Sequence, residues 1–550
     1  MGAVLSQNGY DVIVVGGGSA GCVTASRLAA ESGARVLLIE SGGAGRHPYF
    51  RMPAGLVRLM VPNSPHYRAH VSTAQPHLDG RTVEVLQANV LGGGSSVNAM
   101  SYTRGTRADY DGWDAALGGG TGWDWAGLLP VFMRQEANQR LGAPAHGTTG
   151  RLKVSDPHHP ISMLSRAFML ALQEMGLPFT PDFNGGDTFG TGILQSTTYL
   201  GERWSAARAF LAPESKRANL EILLGHRVTR LLIENGRAVG VEFGSSEGGP
   251  VQVARAQDII LTAGCFVTAQ ILMLSGIGPA DELRAQGIQV VQDLPGVGKG
   301  IQDHHDARVT FETIGNPGYH GQDKGWPMLR NGLQYLMFGS GPVSSTGSEV
   351  SAFNNPLSPA DPPSMQYYCL GRLPKYHAGE AREGAMLIAN LIAPQSRGEV
   401  GLASADPRAP LRLDLGWLSE PADLDQLVAG VEFLLDTVET MPLRPLIGRG
   451  LSLPERRDRS TIETFVRRIT STNWHPVGSC RMGREKDPLA VVDPSLQVRG
   501  VQNLRVFDGS IMPRIIGANT NAPIMAIAER GVDLMTGRYV PGRLRETVRA

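Results

Sequence analysis

An α/β fold built on a parallel sheet is predicted by three observations. A short β-branched strand, Tyr10–Val15, runs into Gly16-Gly17-Gly18-Ser19-Ala20-Gly21 and then a helical stretch, Cys22–Glu31. A second strand, Ala34–Glu40, follows directly, so residues 10–40 read as one βαβ unit. Glycine is in surplus, 69 of 550 residues, and it clusters at such junctions, where chain without Cβ atoms turns tightly.

The remaining elements follow in order. A β-like stretch at Thr82–Leu86 leads to a second cluster, Gly92-Gly93-Gly94-Ser95-Ser96. Ile222–Val241 reads as a strand pair turning at Asn235-Gly236, a pair of residues that tolerates the positive φ of a hairpin turn. Gln257–Ala263 is an apolar strand ending at Gly264, and Thr268–Leu274 is helical. Pro- and Gly-rich loops are expected at 142–160 and 315–327. Leu424, Leu427, Val428, Val431, Leu434, Leu435 and Val438 recur at helical spacing and predict a helix within 421–441. Pro523–Thr536 closes the chain as an apolar helix, with Asn521 as its expected N-cap and Pro523 tolerated in the first turn.

Composition removes several function classes. At ~150 residues per domain the length suits two to four domains, or two large ones. Lys+Arg and Asp+Glu are both 51, a balance unlike the basic excess of nucleic-acid binders. Cys22, Cys265, Cys369 and Cys480 form no CxxC pair, and the adjacent His158-His159 and His304-His305 lack metal-ligand spacing, so neither a disulfide scaffold nor a metal centre is expected. No run of 18 apolar residues and no signal-like N-terminus are present, so the expectation is a soluble cytoplasmic protein without a transmembrane segment. Gly2 fits the loose myristoylation pattern.

Gly16-x-Gly18-x-x-Gly21 between strand and helix, with Glu40 ending the next strand, is the arrangement that binds a dinucleotide. The first glycine makes the turn, the second admits a pyrophosphate, and the third packs helix on strand while the helix N-terminus faces the charge. Glu40 is placed to accept from a ribose 2′-OH, and its charge disfavours a 2′-phosphate. Two other readings compete: a glycine turn without ligand, and a Gly-x-Ser-x-Gly nucleophile elbow at Ser19. The elbow normally follows several strands, whereas this loop follows the first, and it leaves Glu40 without a role.

Ala88-Asn89-Val90-Leu91-Gly92-Gly93-Gly94-Ser95-Ser96-Val97-Asn98, followed by Tyr102, Gly105 and Asp111, resembles the glucose–methanol–choline (GMC) flavoprotein family. The likeness continues through Leu294-Pro295-Gly296-Val297-Gly298, Gln302-Asp303-His304 and Asn473-Trp474-His475-Pro476-Val477-Gly478. It ends at Phe507-Asp508-Gly509-Ser510 and Asn519-Thr520-Asn521-Ala522-Pro523, and the details are similar to choline-dehydrogenase-like bacterial alcohol oxidoreductases. The second family signature is met only approximately around Gly264-Cys265-Phe266, and Gly509 stands where the family mostly has Ala. Val97 occupies a position where some members carry a flavin-linked His, so attachment there is expected to be non-covalent.

The resemblance implies a Rossmann-like FAD-binding domain in three pieces, 1–155, 206–305 and 476–550. A substrate-binding domain with a mixed or antiparallel sheet would comprise 156–205 and 306–475. It further implies that FAD is held by Gly16, Gly18, Ser19, Ala20, Gly21 and Glu40, and by Leu91, Gly92, Gly93, Ser95, Asn98 and Ala99. Val228, Ala263, Gly264, Asp508, Gly509, Asn519, Asn521 and Ala522 complete that set. His475 is the implied base and Asn519 its partner in oxidising an alcohol by hydride transfer, with Glu349 and Trp474 as candidate substrate contacts and His304 as a structural residue. A lyase of the same fold with redox-silent FAD is the alternative. The electron acceptor (O₂ or a quinone or dye) and any oligomer stay open.

Overall fold

The computed structural model describes residues 9–373 and 383–538; Gly2 is outside them. Tyr10–Val15 pairs in parallel with Val36–Glu40 on one side and with Gln252–Leu261 on the other. Leu220–Leu224 extends the sheet beyond Val36–Glu40, and Leu504–Val506 returns from the end of the chain to pair, also in parallel, with Gln252–Leu261. Val12–Val15 and Val36–Ile39 are buried on both faces, as parallel strands covered by helices must be.

Gln252–Leu261 is long enough to serve a second purpose. Its first half pairs antiparallel with Arg237–Ser245, which pairs with His226–Glu234. Asn235 and Gly236 turn that hairpin with φ of 50° and 73°. The strand pair read across 222–241 is therefore divided at Gly225, with Leu220–Leu224 going to the parallel sheet and His226–Glu234 to the hairpin.

The first helix starts at Ser19 rather than Cys22, so the glycine loop itself supplies the helix N-terminus. It packs against the terminal helix Asn521–Met535, and buried Arg27 bonds Glu529 and Asp533 of that helix, each at 2.8 Å. Removing one partner of such a buried pair strands the other charge, so the two ends of the chain are locked together. Thr520, not Asn521, is the N-cap, and Asn521 is the first helical residue.

A second, wholly antiparallel sheet runs in the order Ile447–Ser452, His305–Thr313, Ala385–Leu391, Met365–Leu370, Val350–Asn354, Gly190–Ile193, with Ser471–Thr472 added beside His305. The helix expected in 421–441 spans Pro421–Val438 and covers one face, where the Tyr367 and Phe433 rings meet at 4.9 Å. Alternation then turns Gln366, Tyr368 and Leu370 to the other face, which together with the glycine loops encloses a cavity of about 1090 Å³.

A Cβ at Gly21 would sit 1.9 Å from the Gly16 carbonyl oxygen. Gly21→Ala is therefore expected to cost about 3 kcal/mol of folding stability, at the upper end for overpacking, read from urea denaturation of the protein.

Candidate active site

At one end the cavity is walled by Gly16, Gly18, Ser19, Ala20 and Glu40 from the first loop and by Gly93 and Gly94 from the second. Gly16 (φ +102°) has no room for a side chain, because a Cβ would meet the Thr262 carbonyl oxygen at 2.8 Å. Gly18 and Gly94 differ. Neither has positive φ, and a Cβ would meet nothing closer than 3.8 Å at Gly18 and nothing within 4 Å at Gly94. No neighbouring protein atom demands glycine at these two positions, so the open space serves whatever fills the cavity. Two helix N-termini converge here, at Ser19 and Asn521, and neither has a side-chain cap. Ser19 Oγ donates to Asn521 Oδ1 at 2.8 Å and ties them together. Uncapped N–H groups and the positive ends of two helix dipoles make this wall a site for an anionic group.

Glu40 is buried, with the N–H groups of Gly17 and Gly42 each donating to its carboxylate at 2.7 Å. Burial raises its pKa against those two bonds. Val228, Asn98, Ala99, Ala263, Gly264, Asp508, Gly509, Asn519 and Trp474 also line the cavity. Asn98 Oδ1 accepts from Arg203 at 2.7 Å and from the Met100 N–H, which fixes its rotamer.

The far end is organised around His475. Its Nδ1 lies 2.9 Å from Nδ1 of His304, and His304 Nε2 lies 3.0 Å from the Ile516 carbonyl oxygen. A carbonyl only accepts, so His304 carries its proton on Nε2. Burial, reinforced by the adjacent His475, holds His304 far below the ordinary imidazole range, and the ring is neutral. Its bare Nδ1 must then accept from His475 Nδ1–H. The second proton position of His475, Nε2, is left unprotonated, and its lone pair accepts from the Asn519 amide nitrogen at 3.4 Å. Burial lowers His475 to about 4, so this lone pair is present at neutral pH.

Asn519 is oriented in turn by Thr103, whose hydroxyl accepts the Asn519 N–H at 2.9 Å and donates to Oδ1 at 3.0 Å. The amide NH₂ therefore points at His475. The backbone under His475 is held against strain: Trp474 has φ of +59°, unusual for a bulky residue. Asp303 accepts the His475 N–H at 2.8 Å and the Thr472 hydroxyl at 2.6 Å, while Thr472 Oγ1 accepts the Trp474 N–H at 2.7 Å. Burial pushes the Asp303 carboxyl up to about 7.

Leu91, Gly92, Gly21, Ser95 and Ala522 adjoin these loops without lining the cavity. Gly92 N–H donates to the Gly17 carbonyl at 2.7 Å and ties the two loops together, while Ser95 Oγ donates to the Gly92 carbonyl at 2.6 Å within the second loop. Asp508 reaches the cavity, but its carboxylate takes Gly264 N–H, the Thr268 hydroxyl and Ser510 N–H. Glu349, expected as a substrate contact, is buried and does not line the cavity, and Ser162 N–H and the Ser165, Ser345 and Tyr319 hydroxyls all donate to it. Sequence reasoning missed Asp306 and Arg308, which face the cavity as a bidentate pair at 2.7 and 3.0 Å. Their signal was the alternation that starts at His305. Thr103 and the role of His304 at His475 were missed too, because both depend on contacts between distant segments.

Compared with known proteins, the chain matches the family model described as GMC oxidoreductase over residues 10–306 for its N-terminal part and 394–528 for its C-terminal part. It is 38% identical over 534 residues to an alcohol dehydrogenase (acceptor) of Pseudomonas putida, covering 96% of this chain and 95% of that one. An oxygen-dependent choline dehydrogenase of Sinorhizobium fredii is 35% identical over 536 residues, 96% of each chain. Among solved structures, a formate oxidase of Aspergillus oryzae studied for modification of its FAD has a TM-score of 0.89 at 25% identity, covering 97% of this chain and 99% of that one.

The proton assignment is directly measurable. Nitrogen-15 NMR of histidine-labelled protein is expected to show His475 as the Nδ1–H tautomer, neutral down to pH of about 4. An Nε2–H form, or titration near the ordinary value of ~6.5, would contradict it.

Proposed function

The chain belongs to the GMC oxidoreductase family, and on that premise we propose how its residues carry out FAD-dependent oxidation of an alcohol to an aldehyde or ketone. The observation that carries the reading is the unprotonated Nε2 of His475, beside an amide donor, on the wall of a large cavity. The relatives named above lend nothing to the lyase alternative.

The uncapped N-termini at Ser19 and Asn521, with Gly16, Gly18 and Gly93, suit the phosphates and flavin edge of FAD, with Glu40 at the ribose and Val228 near the adenine. Val97 offers no nucleophile, so FAD is held there without a covalent bond. When bound, FAD supplies the acceptor for the hydride that leaves the alcohol carbon. We assign 1–155, 206–305 and 476–550 to its binding and 156–205 with 306–475 to substrate.

His475 Nε2 takes the hydroxyl proton. The positive charge that develops on the ring is spread to His304, whose Nδ1 already accepts from His475. Asn519 donates to the oxygen as negative charge grows on it. A ring whose pKa burial holds at about 4 retains a proton poorly, so proton removal is coupled to hydride departure rather than preceding it.

Among the described residues, the carboxylates on the cavity wall are Glu40, Asp306, Asp323 and Asp508. Asp306 is paired with Arg308, Asp323 with Arg58 and Arg372, and the other two are bonded as described. None of these carboxylates is left to neutralise a quaternary ammonium, whose desolvated charge favours a counter-ion. With no carboxylate counter-ion among these and with Met386 and Ile388 beside Tyr368 and Trp474 on the wall, we read the substrate as a neutral alcohol.

Anaerobic titration of the yellow holoenzyme is expected to bleach the flavin band with neutral primary alcohols and not with choline. A band that no alcohol bleaches would overturn the reading, and reduction by choline alone would overturn the substrate class. Gly18→Ala is expected to weaken FAD binding at least about tenfold while leaving the stability of the FAD-free protein within ~0.5 kcal/mol, since no protein atom crowds that position.

A further inference from the structure

The helix Gly325–Phe338 is inside out. Its inward residues are Asn331 (1% exposed) and Tyr335 (8%), whereas Trp326 (74%) and Leu336 (77%) face solvent. Leu329, Leu333, Leu336 and Met337 share the outward face at i, i+4, i+7 and i+8, and Phe338 extends it. The patch continues onto neighbouring chain. Leu200 is exposed beside Gly339, and Asp323 just before the helix bonds Arg58 in a second exposed segment that carries Tyr49, Val57 and Val61. An uninterrupted apolar surface of this kind marks an interaction site.

Its surroundings are basic. Residues 41–78 contain no Asp or Glu but hold the exposed Arg46, Arg51 and Arg58, and the helix region adds Lys324 and Arg330, against Asp323 and, near Leu200, Glu202, which pairs with Arg208. The patch also adjoins the cavity mouth, because Tyr49, Val57, Arg58, Val61, Lys324 and Met328 belong to the cavity wall that ends at His475. No helix among the described residues is long and apolar enough to cross a membrane.

We propose that this face docks on a lipid surface bearing anionic headgroups, with Trp326, Leu329, Leu333, Leu336 and Phe338 entering the acyl boundary and the arginines meeting the headgroups. The cavity mouth then opens against the bilayer, so that an alcohol dissolved in lipid reaches His475 without crossing water. A second copy of the chain fits less well, since two like basic rims would meet and the mouth would be closed. Docking itself does not depend on what the cavity oxidises.

The test is sedimentation of holoenzyme with vesicles of equimolar phosphatidylcholine and phosphatidylglycerol, beside vesicles of phosphatidylcholine alone. Wild type is expected to bind the anionic vesicles at least about tenfold more tightly than the neutral ones. The Leu329→Glu/Leu333→Glu/Leu336→Glu variant should lose that binding at least about tenfold, while retaining its flavin spectrum and its reduction by a short water-soluble alcohol. Arg46→Glu/Arg51→Glu should lose only the anionic preference. Holoenzyme that stays in the supernatant, or a leucine variant that binds as well as wild type, overturns the proposal. So does a wild-type dimer that the leucine variant converts to monomer without any vesicle binding, which would assign the face to a second copy.

Discussion

The His475 end of the cavity depends on one hydrogen bond, from His475 Nδ1 to His304 Nδ1. Its direction is set two groups away, by a carbonyl oxygen at Ile516 that can only accept. Because the chain of donors runs one way, the lone pair of His475 is committed to the cavity before any ligand arrives. Burial keeps both rings neutral and so preserves the arrangement. The same burial makes proton acceptance by His475 unfavourable.

That hydrogen bond needs three remote segments to be brought together: Gln302–His305, Thr472–Pro476 and Ile516–Asn521. The antiparallel sheet supplies the first two, since Ser471–Thr472 pairs with His305–Asp306. The third is drawn in by the terminal helix, which Arg27 anchors to the first helix through buried ion pairs. The distance between the glycine loops and His475 is thus set by both sheets together with the terminal helix, and the cavity is the space left between them. Asp303 stabilises the one backbone conformation that is out of the ordinary, at Trp474.

The βαβ unit was legible because its determinants are local: alternation, a glycine loop and a terminal acid lie within residues 10–40. His475 and Asn519 were legible through resemblance, and the structure sets them 3.4 Å apart. The surroundings of Glu349 were not legible, since only tertiary packing reveals that four donors meet its carboxylate. Asp306 and Arg308 could not be weighed until the strand His305–Thr313 had a register, which decides what faces the cavity. The helix Gly325–Phe338 was hidden by its Pro- and Gly-rich approach, and its reversed polarity contradicts the usual rule that apolar residues point inward.

The most direct test of the central claim is the rate of anaerobic flavin reduction by a neutral alcohol in His475→Ala holoenzyme, measured by stopped flow beside wild type. Loss of a positioned base predicts a fall of about 10²–10⁴-fold with the flavin spectrum intact. An unchanged reduction rate would mean that another group removes the proton, and that the His304–His475 pair serves only the fold.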